Sequence, residues 1–562
     1  MGSLKIHPQI RIDEYTKSGV WTQDTVQQLL AERVRERGSQ LAVVDPVDKS
    51  EYVDGVPGRV TWAELDAEVD RLAAMLLRAE VRAGEVVGVQ LPNTVEQIAV
   101  VLAVWRIGAI VSLLAVHSTE PEIVEVCNES CVSAFVTAAR IGSNHVAERV
   151  ISVRTQIPTL RTVLSYGVGV PDGVVRIGHG VATAADIAEV AAHVAADSPA
   201  ADDCIAICWT SGTEGRPKGV PHAHCESLAH ARGVVEAAGL TADDVILNPF
   251  PMMTSAGIIG TMLPWLSTGC VLVQHQPFRL DVFVRQIAEE KVTYTAGRPS
   301  MLAAVDVMEG PSVDLSTLTR IGVGAGPLDP QTVQRWRERY GVELVNFFGT
   351  IEGVTLRSDP DPDARSDDRP HAMLYPRSGH GRGTVLKLVD QQTGAEIVDP
   401  GVLGELRVKG PTVFSGYLNP ARDRDPFDAD GFLMTGDLFV IDGPDDAYLR
   451  FVDRASDIIR RGGVRIGSVD LETMIAEHPA VSEAAVIGCP DGRLGEQVVA
   501  VVACRPGAAI SLEEIGQFLV DRGIDPGETP QRLVIAKGSA GLPRSSTGKV
   551  LKRVLREELA RR

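Results

Sequence analysis

Positive charge is what this chain of 562 residues is short of. Its 55 lysines and arginines face 74 aspartates and glutamates, a formal net charge of −19. An excess of that sign disfavours a polyanionic partner such as nucleic acid, although a locally basic pocket can still hold a nucleotide. Met1–Ile10 carries no apolar core of signal-peptide length. A clean membrane span is missing too. Gln97 to Val116 is almost wholly apolar, but Arg106 interrupts its centre and Gly108 follows as a helix stop. It reads as a buried helix up to Arg106, a glycine turn and the buried strand Ala109–Ala115. The expected location is the cytoplasm. Cysteine is sparse: there are eight, with no Cys-x-x-Cys. Cys127/Cys131 and Cys204/Cys208 share metal-like spacing, yet the second pair sits in an apolar run, so both read as buried free thiols. A P-loop is also absent. Counted from Gly212 it would need glycine where Pro217 stands and Ser or Thr where Gly219 stands.

The remaining composition, 44% hydrophobic and 23% charged, is that of a globular chain with room for several domains. Thr61 followed by Glu64 caps an amphipathic stretch from Ala63 to Arg78, and Val86–Leu91 reads as a strand. Helix and strand signals alternate in this way through the first half, which argues α/β layers. No internal repeat occurs. The Asp/Pro-rich run from Asp359 to Asp368 reads as an exposed loop. From Gly383 to Leu449 short strands separated by glycines suggest a small antiparallel or barrel-like subdomain. Near Asp453 a new unit begins, with strands Ala484–Ile487 and Val498–Cys504 and helices Ser511–Arg522 and Lys549–Ala560.

The chemistry concentrates in Trp209-Thr210-Ser211-Gly212-Thr213-Glu214-Gly215-Arg216-Pro217-Lys218-Gly219, directly after the apolar run Cys204–Cys208. A buried strand feeding a loop of glycines, hydroxyls and a lysine is a polyphosphate cradle: glycines bring backbone N–H groups close, and the side chains add donors. This loop resembles the T-S-G-T-x-G-x-P-K-G signature of the adenylate-forming enzymes: acyl-CoA synthetases, aryl-acid ligases, peptide-synthetase adenylation domains and luciferases. Thr210, Ser211, Gly212, Thr213 and Lys218 are then expected at ATP.

Five further segments resemble the family's motifs in the correct order. Gly322-Val323-Gly324-Ala325-Gly326-Pro327-Leu328 is similar to its glycine-rich acyl-pocket strand and loop. Asn346-Phe347-Phe348-Gly349-Thr350-Ile351-Glu352 is similar to its aromatic-Gly-x-Thr-Glu element, which implies that Phe348 stacks on adenine and that Glu352, with Thr213, holds magnesium. No other metal site is expected. Ile351 departs from the threonine of many relatives, leaving the α-phosphate contact to backbone or to Thr350. Thr435-Gly436-Asp437 resembles the T-G-D whose aspartate accepts from both ribose hydroxyls. Phe451–Asp457 resembles the interdomain hinge, with Arg454 at ribose or phosphate and Ser456 at the pivot, where relatives have Asp or Lys. Leu542-Pro543-Arg544-Ser545-Ser546-Thr547-Gly548-Lys549 resembles the C-terminal signature, making Lys549 the charge delivered to the carboxylate and α-phosphate.

The resemblance implies a large N-terminal adenylation domain of αβα layers with a β-barrel-like subdomain, residues 1–454, and a small mobile α+β lid, residues 455–562. It implies a carboxylic acid activated with MgATP to an acyl-adenylate, then transferred to a thiol. Coenzyme A is the expected acceptor, met by Arg460, Arg461, Gly462 and Gly463; a separate carrier protein is the alternative. Met252, Met253, Thr254, Ser255, Gly324 and Phe347 form the expected acyl pocket. The two methionines make it apolar and adaptable, suited to a medium-chain or cyclic hydrophobic acid.

Overall fold

The computed structural model describes residues 4–178, 180–210, 216–308, 313–326, 328, 330–358, 374–378, 383–536, 541–544 and 550–560. Among the described residues there are four sheets, the first with seven strands, ordered Val175–Arg176, Thr162–Tyr166, Val132–Ala138, Val86–Gln90, Ile110–Leu113, Cys204–Trp209 and Gly219–Ala223. All neighbours are parallel except the last pair. The second has eight, ordered Thr355–Arg357, Glu343–Gly349, Arg320–Val323, Tyr294–Gly297, Val245–Asn248, Val271–Gln274, Leu41–Val44 and Arg59–Thr61. Only its two edge strands run antiparallel.

Alternation along the strands shows what covers each face. Val87 and Val89 point into one core and Val86 into another. In the second sheet Ile246, Leu272 and Tyr294 belong to that first core, while Leu247, Val273 and Ile321 belong to a third. Helices Trp62–Arg78, Val95–Arg106 and His224–Ala238 fill the core shared by both sheets. Glu120–Glu129 and Val146–Val153 close the outer face of the first sheet, and Leu280–Glu289 and Pro330–Tyr340 that of the second. Five alternating layers of helix and sheet result.

The capping box forms at Thr61: Glu64 N–H donates to Thr61 Oγ1 (3.2 Å) and Thr61 N–H to Glu64 Oε2 (2.8 Å). The apolar run breaks as its charges require. Arg106 ends its helix on Asp66 and Asp70, Gly108 turns at φ +72°, and Ile110–Leu113 enters the first sheet. Among the described residues no helix is long and apolar enough to cross a membrane. All eight cysteines are free, and burial pushes the thiols of Cys127, Cys208 and Cys270 up to about 12.

The third sheet is antiparallel: Leu374–Pro376, Tyr448–Arg454, Leu433–Asp442, Gly404–Lys409, Val385–Val389 and Glu396–Ile397. The fourth belongs to the last hundred or so residues, with Ile459–Arg461, Val464–Ile466, Val481–Asp491, Gly495–Cys504 and Arg532–Ile535 packed on three helices. The run Asp359–Asp368 lies outside the described residues.

The N-terminal segment straps these parts together. Trp21 Nε1 donates to Pro411 O (3.0 Å) and Arg11 to Gly410 O (2.8 Å). His7 Nδ1 lies 2.7 Å from Ser415 Oγ, and its Nε2 lies 2.5 Å from Glu226 Oε2. On the other side Glu226 Oε1 meets His222 Nδ1 at 2.9 Å and accepts from Ala223 N–H. Burial alone would raise the Glu226 carboxyl, but His7 and then His222 more than offset this and hold it down to about 2.

Candidate active site

The carboxyl ends of the parallel strands open onto one cavity of about 1740 Å³, the place where open α/β sheets hold ligands. Gly297, Gly324 and Gly349 mark three of those ends on its wall. Ala325 beside them takes φ +61°, and Gly326 completes the turn. From the first sheet come Thr210 and Lys218. Lys218 N–H donates to Thr210 Oγ1 (3.0 Å) and Thr210 N–H to Lys218 O (3.1 Å), so the base of the glycine loop is clamped at the cavity. Ser211, Gly212 and Thr213 lie outside the described residues.

A second group gathers beside Lys218. Tyr417 donates its hydroxyl to Glu352 Oε1 (3.1 Å), and Lys218 Nζ stands 5.2 Å from the Tyr417 ring centre. Carboxylate, phenol and ammonium therefore share one wall, a hard-oxygen and cationic set suited to magnesium and phosphate. Thr350 lies alongside, its Oγ1 buried and without a hydrogen-bond partner among the described residues. Ile351 packs into the core. Asp437 is 1% exposed behind Gly436 (φ +69°), and its carboxylate meets Arg454 Nε at 3.0 Å. That contact raises the Arg454 guanidinium above its usual value, and Arg454 faces the cavity.

Two expected contacts fall elsewhere. Phe348 does not reach the cavity: its ring packs against Phe439, Phe451 and Tyr375 at 5.1, 5.6 and 6.2 Å. Successive strand residues face opposite ways, and Phe347 is the one on the wall. Met252 is 1% exposed in the core, its N–H donating to Asn93 Oδ1, whereas Met253, Thr254 and Ser255 line the cavity.

The small unit presents a particular face. Arg544, Val550 and Lys552 line the cavity, Arg544 bridges to Val550, and Leu551 N–H donates to Pro543 O (2.7 Å). The two ends of 545–549 are thus clamped at the wall, although Lys549 itself lies outside the described residues. Lys552 Nζ is held by Glu472 (2.7 Å) and Ser468 Oγ (2.6 Å). Arg460, Arg461, Gly462 and Gly463 form a hairpin off the cavity wall, with φ +57° and +88° at the glycines. Ser456 is exposed in the turn after Arg454.

Several wall residues escaped the sequence reading. Tyr417 was legible only as an aromatic in Ser-Gly-Tyr-Leu-Asn-Pro. His230, Tyr294 and Thr355 all line the cavity, with His230 Nε2 against Thr355 Oγ1. Arg298 stands 4.9 Å from the Phe250 ring centre, and burial, with Arg544 adding to it, lowers its guanidinium.

The model of the AMP-binding enzyme matches residues 30–418, and that of the AMP-binding enzyme C-terminal domain matches residues 470–549. The chain belongs to the AMP-binding enzymes. A curated relative of this AMP-binding enzyme is the 3-[(3aS,4S,7aS)-7a-methyl-1,5-dioxo-octahydro-1H-inden-4-yl]propanoyl:CoA ligase of Rhodococcus jostii, 30% identical over 89% of this chain and 94% of the relative. The salicyl-AMP ligase / salicyl-S-ArCP synthetase of Mycobacterium tuberculosis is 29% identical over 100% and 95%. ATP-bound MatB from Rhodopseudomonas palustris superimposes with a TM-score of 0.76 at 25% identity, over 95% of this chain and 99% of that one. The fold is that of the adenylate-forming enzymes.

Proposed function

We propose that this AMP-binding enzyme is a cytoplasmic, ATP-dependent carboxylic acid–coenzyme A ligase. The observation that carries the reading is convergence: the clamped base of the glycine loop, Glu352 with Tyr417, Arg454 with the buried Asp437 behind it, and the clamped ends of 545–549 gather at one cavity, whose wall Asp437 itself does not line. The carboxylate attacks the α-phosphorus, forming a C(O)–O–P link while the bond to pyrophosphate breaks. A thiol then attacks the acyl carbon, AMP leaves and a thioester remains. Ser211, Gly212, Thr213 and Lys218 hold the phosphates, Asp437 the ribose, and Lys549 meets the charge that builds up between carboxylate and α-phosphate. Glu352, with Thr213, would hold magnesium, which when bound neutralises phosphate charge. The acyl group lies along Gly324, Met253, Thr254, Ser255 and Phe347.

The lid divides from the body after Arg454 and pivots at Ser456. Coenzyme A is read by the hairpin of Arg460, Arg461, Gly462 and Gly463 once the lid turns. Its place off the cavity wall supports assigning this arrangement to the first half-reaction. Transfer to a carrier protein is the second reading, favoured by the name of the mycobacterial relative. The test is ATP–pyrophosphate exchange over a panel of acids, followed by a thioester assay with coenzyme A beside a phosphopantetheinylated carrier. Exchange with thioester formed only on the carrier would overturn the coenzyme A reading.

A further inference from the structure

One helix of the small unit takes its cap from the large one. Ser468–Ala476 is preceded by Gly467, which has no side chain to offer the first N–H groups. Asp453 serves instead, from the strand Tyr448–Arg454 of the third sheet, where it pairs with Leu438. Its Oδ2 accepts from Ser468 N–H (2.7 Å) and from Ser468 Oγ (2.5 Å), while its Oδ1 accepts from Arg454 N–H (2.7 Å). Asp453 is 1% exposed and Ser468 is wholly buried. A carboxylate at a helix N-terminus gains both from these charge-assisted bonds and from the helix dipole. The glycine also permits the approach, since a Cβ built on Gly467 would lie 3.2 Å from Val452 Cγ1.

The contact continues to the cavity. Ser468 Oγ gives its proton to Asp453 and accepts from Lys552 Nζ (2.6 Å), whose other partner is Glu472 Oε1 (2.7 Å). Glu472 Oε1 accepts from Val486 N–H as well (2.7 Å), which fixes Lys552 against the sheet of the small unit. Lys552 lines the cavity and opens the helix Lys552–Ala560, three positions after Lys549. A continuous chain of bonds therefore runs from the strand that carries Arg454 to the end of the 545–549 segment. Of these side chains Asp453 alone precedes Ser456; Ser468, Glu472 and Lys552 follow it. The ion pair of Arg556 with Asp457 (2.8 Å) also lies wholly beyond Ser456. Turning the small unit about Ser456 parts Asp453 from Ser468 and leaves the other contacts whole.

We propose that Asp453 and Ser468 form a latch that holds the lid in the arrangement for adenylate formation. Asp453 is thereby a positioning residue, acting through Ser468 and Lys552 on the segment that ends in Lys549. The latch rests on the ligase reading above and on its turning lid.

The test compares two single-turnover rates in the full chain. One is adenylate formation from acid and MgATP; the other is thioester formation from the synthetic adenylate, on coenzyme A or a phosphopantetheinylated carrier, whichever the parent accepts. Octanoate, cyclohexanecarboxylate and benzoate serve as probes. Each rate scales with the share of protein whose lid stands in the matching arrangement, so the ratio of first to second follows the lid equilibrium. Ser468→Ala removes the hydroxyl shared by a carboxylate and an ammonium, and should lower that ratio about tenfold or more. Asp453→Ala should lower it at least as far. The double variant should fall no further than Asp453→Ala alone, because both changes remove one contact. A merely structural pair would slow both steps alike and leave the ratio standing, and losses that multiply in the double variant would give the two residues separate roles. Either result overturns the latch and leaves the ligase intact. No adenylate from any acid and no thioester from any adenylate, in parent protein that binds ATP by calorimetry, overturns the ligase reading and the latch together.

Discussion

Replacing Glu226 by glutamine tests how the N-terminal strap is held. The carboxylate lies wholly buried between His7 and His222, and its pKa falls from 4.5 to about 2. A depressed carboxyl contributes stability that is complete above the unfolded value and disappears as pH falls through the folded one. The window therefore runs from about pH 4.5 down to about pH 2. At ~1.4 kcal/mol per unit, the shift corresponds to about 3 kcal/mol at pH 7. Glu226→Gln keeps the shape, removes the charge and should lose roughly that amount in urea unfolding at pH 7. At pH 3 the native protein has itself lost more than half of the contribution, so the gap between the two should shrink to less than half. Tryptophan fluorescence is the natural monitor, because Trp21 packs on His7 with ring centres 4.8 Å apart. A variant within about 0.5 kcal/mol of the parent at pH 7, or a gap unchanged at pH 3, refutes the reasoning.

Asp437→Ala should weaken ATP and acyl-AMP binding by about 1.5–3 kcal/mol, the range for a hydrogen bond to a charged group; unchanged affinity in calorimetry removes Asp437 from the ribose site. Lys549→Ala should abolish acid-dependent pyrophosphate exchange yet still convert synthetic acyl-AMP and coenzyme A to thioester. Persistent exchange defeats the assignment of Lys549, and loss of both half-reactions in folded protein defeats a turning lid. Ser456→Pro fixes φ at the exposed turn and should impair one half-reaction far more than the other in single-turnover kinetics; equal slowing puts the pivot elsewhere.

What the sequence made legible was whatever is written locally. Thr61 and Glu64 announce a helix start, Gly108 a turn, and Cys204–Cys208 a buried strand, because each depends on neighbours within a few positions. The glycine loop and the lysine that closes it are legible for the same reason. Phe347 and Phe348 show the limit. Two adjacent aromatics announce that one faces the ligand, but only the register of Glu343–Gly349 decides which. Met252 and Met253 pose the same ambiguity in a turn. Partners far apart in the chain leave no local trace: His7 with Glu226, Tyr417 with Glu352, His230 with Thr355.

Part of the cavity wall is made from the middle layer of the protein rather than from its loops. His230 sits on the helix His224–Ala238, and Tyr294 belongs to the same core as Trp265 and Leu228. That part of the wall is therefore inherited together with the interior. It cannot be reshaped by exchanging a surface segment, and single changes there disturb packing first. Lineages that reshape it should show paired changes, one on the helix and one on the strand, arriving together. The wall around Gly297, Gly324 and Gly349, built from strand ends and loops, is free of that coupling and can stay constant while the interior diverges.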